Sequence, residues 1–290
     1  GSLYGVAFSG NDWAGQCVRI QEVPYDGTNG VIQKATIRDI KSHGILASGA
    51  NCKNVRILDC DIAHSGMNGI NVLYEATISL IQNCVITNNG HRAPEGCSGI
   101  NLCHGNVNKI QNCTITNNTD KGISTNSDKY SFITTPGCTI GTITGCTISN
   151  NHVNGVYLKP LCHINSFTNN TLIGNPDGIV CVSTSRKGVT GASYVKNVTN
   201  NRFRNNTNSQ LHAHYNKAVI HVGTGNTFTG GKNAVLALAG GTIKIAGNNN
   251  TIQGSTGAGI DCNGGTVLIQ GSGTKIKNND SAKLNSNILV

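Results

Sequence analysis

The 290-residue sequence is poor in aromatic and acidic residues and contains no long apolar run. No segment approaches eighteen consecutive apolar residues, and the amino terminus lacks a charged stretch followed by an apolar core, so we predict neither a membrane span nor a signal peptide. Aromatic residues make up 4% of the chain, which leaves few platforms for stacking nucleic-acid bases. Only 13 Asp and Glu residues are present, which argues against a calcium site made of several carboxylates.

Glycine, asparagine and threonine are abundant. The 37 glycines and the frequent asparagines tolerate left-handed backbone in tight turns, and threonine suits strands, so the composition predicts many short strands. The formal net charge is +9, which favours a polyanionic partner. Because the basic residues are scattered and stacking aromatics are few, an acidic polysaccharide fits better than nucleic acid.

An apolar position recurs after Cys-x or Asn-x, mostly at intervals of 24 or 25 residues, which is one coil of a β-solenoid. A second apolar position, usually preceded by Gly, follows seven or eight residues later in most repeats. The first position is occupied by Ile37, Ile62, Ile86, Ile115, Ile148, Leu172, Phe203, Phe228, Ile252 and Ile276. The second is occupied by Ile45, Ile70, Ile100, Ile123, Val156, Ile179, Leu211, Val235 and Ile260, with Ile100 displaced to fourteen residues after Ile86.

Polar and thiol side chains also recur in register with the first apolar position. Two residues before it stand Cys60, Cys84, Cys113 and Cys146, and then Asn170, Asn201, Asn226 and Asn250. Residues two apart on a strand share a face, so we expect these cysteines to point inward and stack. Two residues after it stand Asn88, Asn117, Asn150, Asn205 and Asn278, whose amides we expect to hydrogen-bond from rung to rung around a left-handed turn.

The pattern N-x-I-x-N followed by G-I-x-V resembles the parallel β-helix repeats of the pectin-lyase-like superfamily, which includes polysaccharide lyases, polygalacturonases, epimerases and phage tailspikes. The resemblance covers roughly residues 30 to 285. It implies an all-β fold, a right-handed single-stranded parallel β-helix (solenoid) of about ten rungs. We expect residues 1–30 to form an irregular N-terminal cap or first rung, with Trp13 covering the open end, and residues 31–290 to form the β-helix domain of a longer protein.

Twelve cysteines would suggest disulfides in a small secreted domain, but here several occupy a regular interior column. We therefore expect free thiols and folding in a reducing cytoplasm. A phage structural protein folds inside its host and acts outside it, so an extracellular or virion-associated setting remains compatible with these thiols. Tailspike-like helices are often trimers, so the resemblance also allows a homotrimer.

The strand that carries the second apolar position is where a site is expected. Residues between its inward positions should face solvent, and three insertions near the middle rungs should form a wall that turns this face into a groove. The insertions contribute His91, Arg92, Lys129, Tyr130, Arg186 and Lys187. As substrate-binding residues the pattern indicates Asn71, Asn101, Ser124, Asn126, Arg186 and Lys187.

Five groove residues are candidates for catalysis, namely Tyr157, Lys159, Asp177, His212 and His214. The two histidines alternate on one strand face as metal ligands do, but no third ligand is apparent, so we expect no metal and no cofactor. Lysine and tyrosine are able to transfer protons, although Lys159 also fits an ordinary solvated lysine and Tyr157 fits a platform stacked against a sugar.

Asp177 lies in the segment N-P-D-G-I, which resembles the N-T-D-G-I segment that carries a catalytic carboxylate in polygalacturonases. That family's paired aspartates would fall near Ser209 and Gln210 here, and its G-H-G and R-I-K segments are absent, as is the D-P-H segment of alginate epimerases. Hydrolysis normally needs two carboxylates, and Asp120 is the only evident partner for Asp177. Elimination needs a base, an acid and a cation, which Tyr, His and Lys can supply.

The leading hypothesis is a carbohydrate-active β-helix that binds and cleaves an acidic polysaccharide, as a lyase or a glycoside hydrolase, with a phage tailspike depolymerase as one setting. The alternative is a non-catalytic glycan-binding adhesin or receptor-binding domain, which would use the same groove without proton transfer. A purely structural spacer is a third reading, against which the loop insertions argue.

Overall fold

The computed structural model describes residues 2–9, 18–21, 30–93, 96–127, 137–184, 189–280 and 288–289. These residues form 33 short strands, numbered β1 to β33 in chain order, and no helix. Accordingly, this part of the chain contains no helix with the length and apolar character that a membrane span requires. The prediction of an all-β chain is confirmed.

The strands repeat in groups of three, because each coil contributes one strand to each of three parallel sheets. In the described residues sheet A has twelve strands, sheet B eleven and sheet C ten, so about ten coils have all three strands. Each strand pairs in parallel with its equivalent in the neighbouring coils, for example β10 with β7 and β13. The fold is a right-handed parallel β-helix of about ten rungs, as predicted.

Sheet A is formed by the first strand of each coil. Its strands are Ser2–Tyr4 (β1), Val31–Gln33 (β4), Val55–Leu58 (β7), Thr77–Gln82 (β10), Asn106–Gln111 (β13), Cys138–Thr144 (β16), Cys162–Thr168 (β19), Ser193–Thr199 (β22), Ala218–Val222 (β25), Thr242–Ile245 (β28), Thr266–Ile269 (β31) and Ile288–Leu289 (β33). Strands β1 to β3 already lie within residues 1–30 and pair with β4 to β6, as a first rung would. Trp13 lies outside the described residues.

Sheet B is formed by short strands centred on the first apolar position. Its strands are Ala7–Ser9 (β2), Thr36–Arg38 (β5), Asp61–Ala63 (β8), Val85–Thr87 (β11), Thr114–Thr116 (β14), Thr147–Ser149 (β17), Thr171–Ile173 (β20), Arg202–Arg204 (β23), Thr227–Thr229 (β26), Thr251–Gln253 (β29) and Lys275–Lys277 (β32). The first apolar positions stack in register from Ile37 to Ile276. All are fully buried except Ile276 in the last coil, so this column is one edge of the core.

Sheet C carries the second apolar position and the predicted groove. Its strands are Val18–Gln21 (β3), Ile45–Ser48 (β6), Ile70–Leu73 (β9), Ile100–Cys103 (β12), Lys121–Asn126 (β15), Asn154–Leu158 (β18), Asp177–Val182 (β21), Ser209–His214 (β24), Asn233–Leu238 (β27) and Ile260–Asn263 (β30).

The cysteine column lies inside the helix, as predicted. All eleven cysteines in the described residues are free and buried. Cys146 Sγ accepts a hydrogen bond from Cys113 N at 3.5 Å, and Cys146 N in turn donates to Asn170 Oδ1 at 2.9 Å. From Asn170 onward the same column becomes a ladder of buried amides, with Asn201, Asn226 and Asn250 linked from coil to coil. Thiols and amides thus fill equivalent interior positions.

The second predicted ladder is displaced by one residue. Asn88 and Asn117 adopt left-handed backbone with φ of 54° and 55°, as the turn requires, but the amides that bond from coil to coil belong to the next residue. Asn89 Nδ2 donates to Asn118 Oδ1 at 3.0 Å, and Asn118 Nδ2 to Asn151 Oδ1 at 2.9 Å. The prediction was wrong in position because the left-handed residue turns the following side chain inward.

Candidate functional site

The inner face of sheet C is closed by the second apolar column, whose members are 5% exposed or less. Ile100 pairs with both Ile70 and Ile123, so the long step before Ile100 contains an inserted loop and leaves the register intact. Because side chains alternate along a strand, the residues between the inward positions lie on the outer face. The candidate residues of strands β9 to β24 therefore share one face of the β-helix.

The first half of this outer face is a chain of hydrogen bonds. Asn71 Nδ2 lies 3.0 Å from His43 Nε2, and Asn101 Nδ2 donates to Asn71 Oδ1 at 2.8 Å. Ser124 Oγ donates to Asn101 Oδ1 at 2.8 Å and accepts from Ser98 Oγ at 2.9 Å. Asn71 is 4% exposed and Ser124 is 6% exposed. The expectation that this column faces solvent is wrong at these two residues, because neighbouring polar side chains cover them.

The middle coils add a carboxylate and an ammonium group to this face. Lys121 Nζ lies 2.6 and 2.5 Å from the two carboxylate oxygens of Asp120 and 5.2 Å from the centroid of the Tyr157 ring. Asp120 is buried and also accepts from Gly96 N at 2.9 Å. Tyr157 is half-buried, so its ring lies against an ammonium group and is still reachable from outside. This cation–π pair was not predicted, although Lys121 precedes its glycine at the same repeat position as Asp177.

Lys159 lies on the same outer face beyond Tyr157. Its Nζ donates to Asn126 Oδ1 at 3.1 Å, and both side chains are half-buried. The backbone N of Lys159 is also fixed, because it donates to Thr125 Oγ1 at 3.0 Å. A predicted catalytic lysine and a predicted substrate-binding amide are therefore in direct contact.

Asp177 is the partly buried carboxyl of this face. Lys121, Asn154 and Asp177 occupy equivalent positions on β15, β18 and β21. Ser209 Oγ donates to Asp177 Oδ1 at 2.6 Å, and Asn154 Nδ2 donates to Oδ2 at 3.3 Å. Burial raises the pKa of Asp177 above its ordinary value, and the bond from Ser209 offsets only part of that rise. A carboxyl in this setting holds a proton more readily than one in water.

The two predicted histidines form a platform rather than a charged pair. The rings of His212 and His214 lie 5.3 Å apart at 18°, and His214 stacks on Tyr215 at 3.7 Å. Burial, and then the neighbouring His214, lower the pKa of His212 to about 4, and burial lowers the pKa of His214. Within the described residues His212 Nε2 is buried and has no hydrogen-bond partner. These rings are neutral near pH 7.

The five catalytic candidates do not converge on one point. Tyr157 pairs with Val180, and Val180 pairs with His212, so a valine separates the tyrosine from the histidine platform. Two coil spacings correspond to about 10 Å. We call Lys121, Tyr157, Lys159 and Asp177, which lie on or just after the neighbouring strands β15, β18 and β21, the middle cluster, whereas His212 and His214 lie on β24.

The three insertions flank sheet C at both edges. The loop before Ile100 lies between sheets B and C, whereas the other two insertions follow β15 and β21 and lead from sheet C to sheet A. The first loop is held by backbone bonds such as Arg92 N to Gly66 O at 3.0 Å. The first insertion therefore leaves the opposite edge of sheet C from the other two, and the predicted wall stays a prediction because parts of all three insertions lie outside the described residues. Arg186 and Lys187, like Lys129 and Tyr130, lie outside the described residues.

In the described ranges no three His, Cys, Asp or Glu side chains are grouped so as to hold a metal ion.

Sequence reasoning also missed His43, whose ring begins the hydrogen-bond chain of the outer face. Burial lowers its pKa to about 4. The sequence did contain a signal for His43, because this residue directly precedes the glycine of its coil, as Lys121 and Asp177 do in theirs.

We expect the free energy of unfolding to fall as the pH decreases from about 6.5 to 4. The unfolded chain binds protons at His43 and His212 with a pKa near 6.5, whereas the folded chain keeps both rings neutral down to about pH 4. Each histidine contributes at most roughly 3 kcal/mol, less after solvent screening. Denaturant unfolding at several pH values measures this. His43→Gln should flatten the dependence, and a wild-type free energy that is constant over this window would contradict the prediction.

The fold defines the chain as a right-handed β-helix protein with a polar outer face on sheet C. A family model described as "Right handed beta helix region" matches residues 23–194, which is more than half of the chain, and the chain belongs to this family. No curated protein and no solved structure matches the chain. The family description concerns architecture and states no ligand or reaction.

Proposed function

We propose that the outer face of sheet C binds an acidic polysaccharide and cleaves it by β-elimination at the middle cluster. The observation that carries this proposal is Asp177, a partly buried carboxyl with a raised pKa that shares a face with Tyr157 and two lysines. A proton donor, a base and a cation are the groups that this elimination requires.

The roles follow from the contacts. We assign to Tyr157 the removal of the proton from the sugar carbon beside the carboxylate, because its ring is reachable from outside and shares the face with Lys121 and Lys159. Lys159 binds the substrate carboxylate and neutralises the charge that develops there. The electron pair released at carbon forms a carbon–carbon double bond, the bond to the glycosidic oxygen breaks, and the Asp177 carboxyl gives its proton to that oxygen.

The relative position of the acid and the base follows from the strand register. Asp177 is one coil beyond Asn154, and Tyr157 is three residues along the strand from Asn154. This corresponds to about 11 Å between the Cα positions of Asp177 and Tyr157. In the proposed mechanism the acid and the base act on one sugar ring from the neighbouring strands β21 and β18.

Hydrolysis is supported less well by the same residues. It would need Asp120 as the second carboxylate, but Asp120 is buried, bound to Lys121 and hydrogen-bonded by a backbone amide. Its position is two coils from that of Asp177, or about 10 Å along the β-helix, which is far beyond the separation of two carboxyls in retaining hydrolysis. Elimination needs only one of the two carboxyls.

The histidine platform supports binding of a neighbouring sugar. His212, His214 and Tyr215 form a continuous stack of neutral rings, and Val180 and Leu236 flank His212 on the adjacent strands. A flat apolar surface of this kind suits the carbon face of a pyranose. Two coils separate it from Tyr157, so it would hold a different sugar unit of the same chain.

The free interior thiols support the cellular setting that we propose. A chain that folds in a reducing cytoplasm and then acts on extracellular polysaccharide, as a virion component does, keeps its cysteines reduced during folding.

The test is incubation of the protein with pectate, alginate, glycosaminoglycans and bacterial capsules, each followed by ultraviolet absorbance of the unsaturated product and by a reducing-end assay. Elimination predicts that absorbance and reducing ends rise together. An increase in reducing ends without an increase in absorbance would favour hydrolysis, with Asp120 as the second carboxylate. Binding to one of these polymers without any product would remove the catalytic part of the proposal and leave an adhesin.

A further inference from the structure

Sheet A presents a second outer face with a different charge pattern. Strands β1, β4, β7, β10, β13, β16, β19, β22, β25, β28, β31 and β33 contain no Asp or Glu. Their basic residues are Arg56, Lys109, His163, Lys196, His221 and Lys244. Sheet C, by comparison, carries Asp177 and Asp261 within its strands. The face of sheet A is therefore basic without an internal counter-charge on its strands.

An aromatic stack lies in the middle of this face. His163 and Tyr194 occupy paired positions on β19 and β22, and their rings lie 3.9 Å apart at 12°. Lys196 Nζ lies 4.5 Å from the centroid of the Tyr194 ring. Both rings are half-buried, whereas Lys196 is exposed. The stack is flat, fixed by two neighbouring strands, and accompanied by a cation.

A β-bulge lies at this lysine. The register between β22 and β25 shifts between Val195 and Val198, and Asn197 in the bulge has a φ of 50°. Bulges re-aim side chains in this way. His221 on β25 pairs with Lys244 on β28, so the residues that follow the bulge across the sheet are also basic. Burial lowers the pKa of His221, and the charges of Lys244 and Lys196 lower it further.

We propose that His163, Tyr194, Lys196, His221 and Lys244, the Tyr194 surface, form a second binding site for an anionic sugar chain, one that carries carboxylate or sulfate groups. The sugar ring stacks on the His163–Tyr194 pair, and its anionic groups bind Lys196 and Lys244. A bound anion relieves the mutual repulsion of these basic side chains. The site lies on a different sheet from the middle cluster and does not depend on catalysis there.

A sugar chain fits this surface better than single-stranded nucleic acid does. Nucleic acid is held by successive aromatic platforms, one for each of several bases. Here the positions that follow Tyr194 in the same column are Val219 and Thr242, and the position before His163 is Thr139. One platform flanked by small side chains and lysines suits one stacked sugar with charged neighbours.

Two sites on one rigid β-helix have a consequence for avidity. A polysaccharide long enough to reach both sheet A and sheet C would be held at two points, which raises its affinity above that of either site alone. Short oligosaccharides would not show this gain, so chain length separates the contributions of the two faces.

The test uses the full chain with oligogalacturonate and a heparin-derived oligosaccharide as probes. The imidazole resonances of His163 and His221 report binding at the Tyr194 surface, and those of His212 and His214 report sheet C. We expect at least one probe to shift the first pair. Tyr194→Ala and the double variant Lys196→Ala/Lys244→Ala should each weaken that interaction at least tenfold. Lys109→Ala, an exposed lysine of the same sheet away from the stack, should change it less than twofold.

Several outcomes would overturn the proposal. One is that neither probe shifts the resonances of His163 and His221. A second is that methyl-esterified oligogalacturonate, whose carboxylates are neutral, binds as well as the acid form. A third is tighter binding of single-stranded DNA of equal charge, which would assign the surface to nucleic acid. Turnover of short oligosaccharides should be unchanged in the Tyr194 surface variants, so failure of elimination at sheet C would appear separately.

Discussion

Asp177→Asn is expected to reduce the rate of polysaccharide cleavage at least about 100-fold, the scale that general acid catalysis contributes. The asparagine amide keeps the size of the carboxyl and still accepts from Ser209 Oγ, so the fold should be retained. What it loses is the proton that Asp177 gives to the leaving oxygen. Because burial raises the pKa of Asp177, the alkaline limb of the rate profile should lie above the ordinary pKa of aspartate, and this limb should disappear in the variant. Initial rates measured against pH provide the check.

Asp261→Asn is the matched control, since Asp261 is the other carboxyl on the strands of sheet C and pairs with Leu236, far from Tyr157. It should leave the rate within about twofold. Lys159→Met should weaken cleavage while keeping the length of the side chain, because Lys159 neutralises the substrate carboxylate. If Asp177→Asn cleaved the polymer at the wild-type rate while Tyr157→Phe was inactive, the acid would have to come from elsewhere and the assigned role of Asp177 would be wrong.

The fold could be predicted from the sequence because each coil repeats the same pattern of inward and outward residues. An inward residue must be apolar in every coil, so the spacing of Ile86, Ile115 and Ile148 already contains the register that the strands adopt. Even the displaced Ile100 could be placed, since glycine precedes it as in the other coils. The asparagine ladder was misplaced by one residue because the spacing does not reveal which residue takes the left-handed backbone and which turns inward.

The candidate site was less accessible to sequence reasoning. Alternation indicates which side of a sheet a residue occupies, but it does not show what covers that side. Asn71 and Ser124 are on the predicted face and yet are buried, because His43 and Ser98 reach across from preceding turns. The stack of His163 on Tyr194 was missed for a similar reason, since these residues are 31 positions apart and belong to a face that the repeat pattern did not distinguish.

Asn201→Ala is expected to lower the free energy of unfolding by about 3 to 5 kcal/mol, since each buried polar group left unpaired costs roughly 1 to 3 kcal/mol. Asn201 is fully buried. Its Nδ2 donates to Phe167 O at 2.8 Å and to Asn226 Oδ1 at 3.0 Å, and its Oδ1 accepts from Asn170 N at 2.8 Å. Alanine makes none of these hydrogen bonds.

Two control variants test whether the lost hydrogen bonds of Asn201 cause the expected loss of stability. Arg202→Ala changes the adjacent, exposed residue of the same coil and should alter stability by no more than about 0.5 kcal/mol. Cys146→Ala changes the equivalent interior position in the thiol half of the column, where the thiol accepts one long bond of 3.5 Å from Cys113 N. Because a thiol bonds weakly, this loss should be less than half of that for Asn201→Ala. Equal losses in Asn201→Ala and Cys146→Ala would show that interior packing, and not the amide ladder, stabilises this edge of the β-helix.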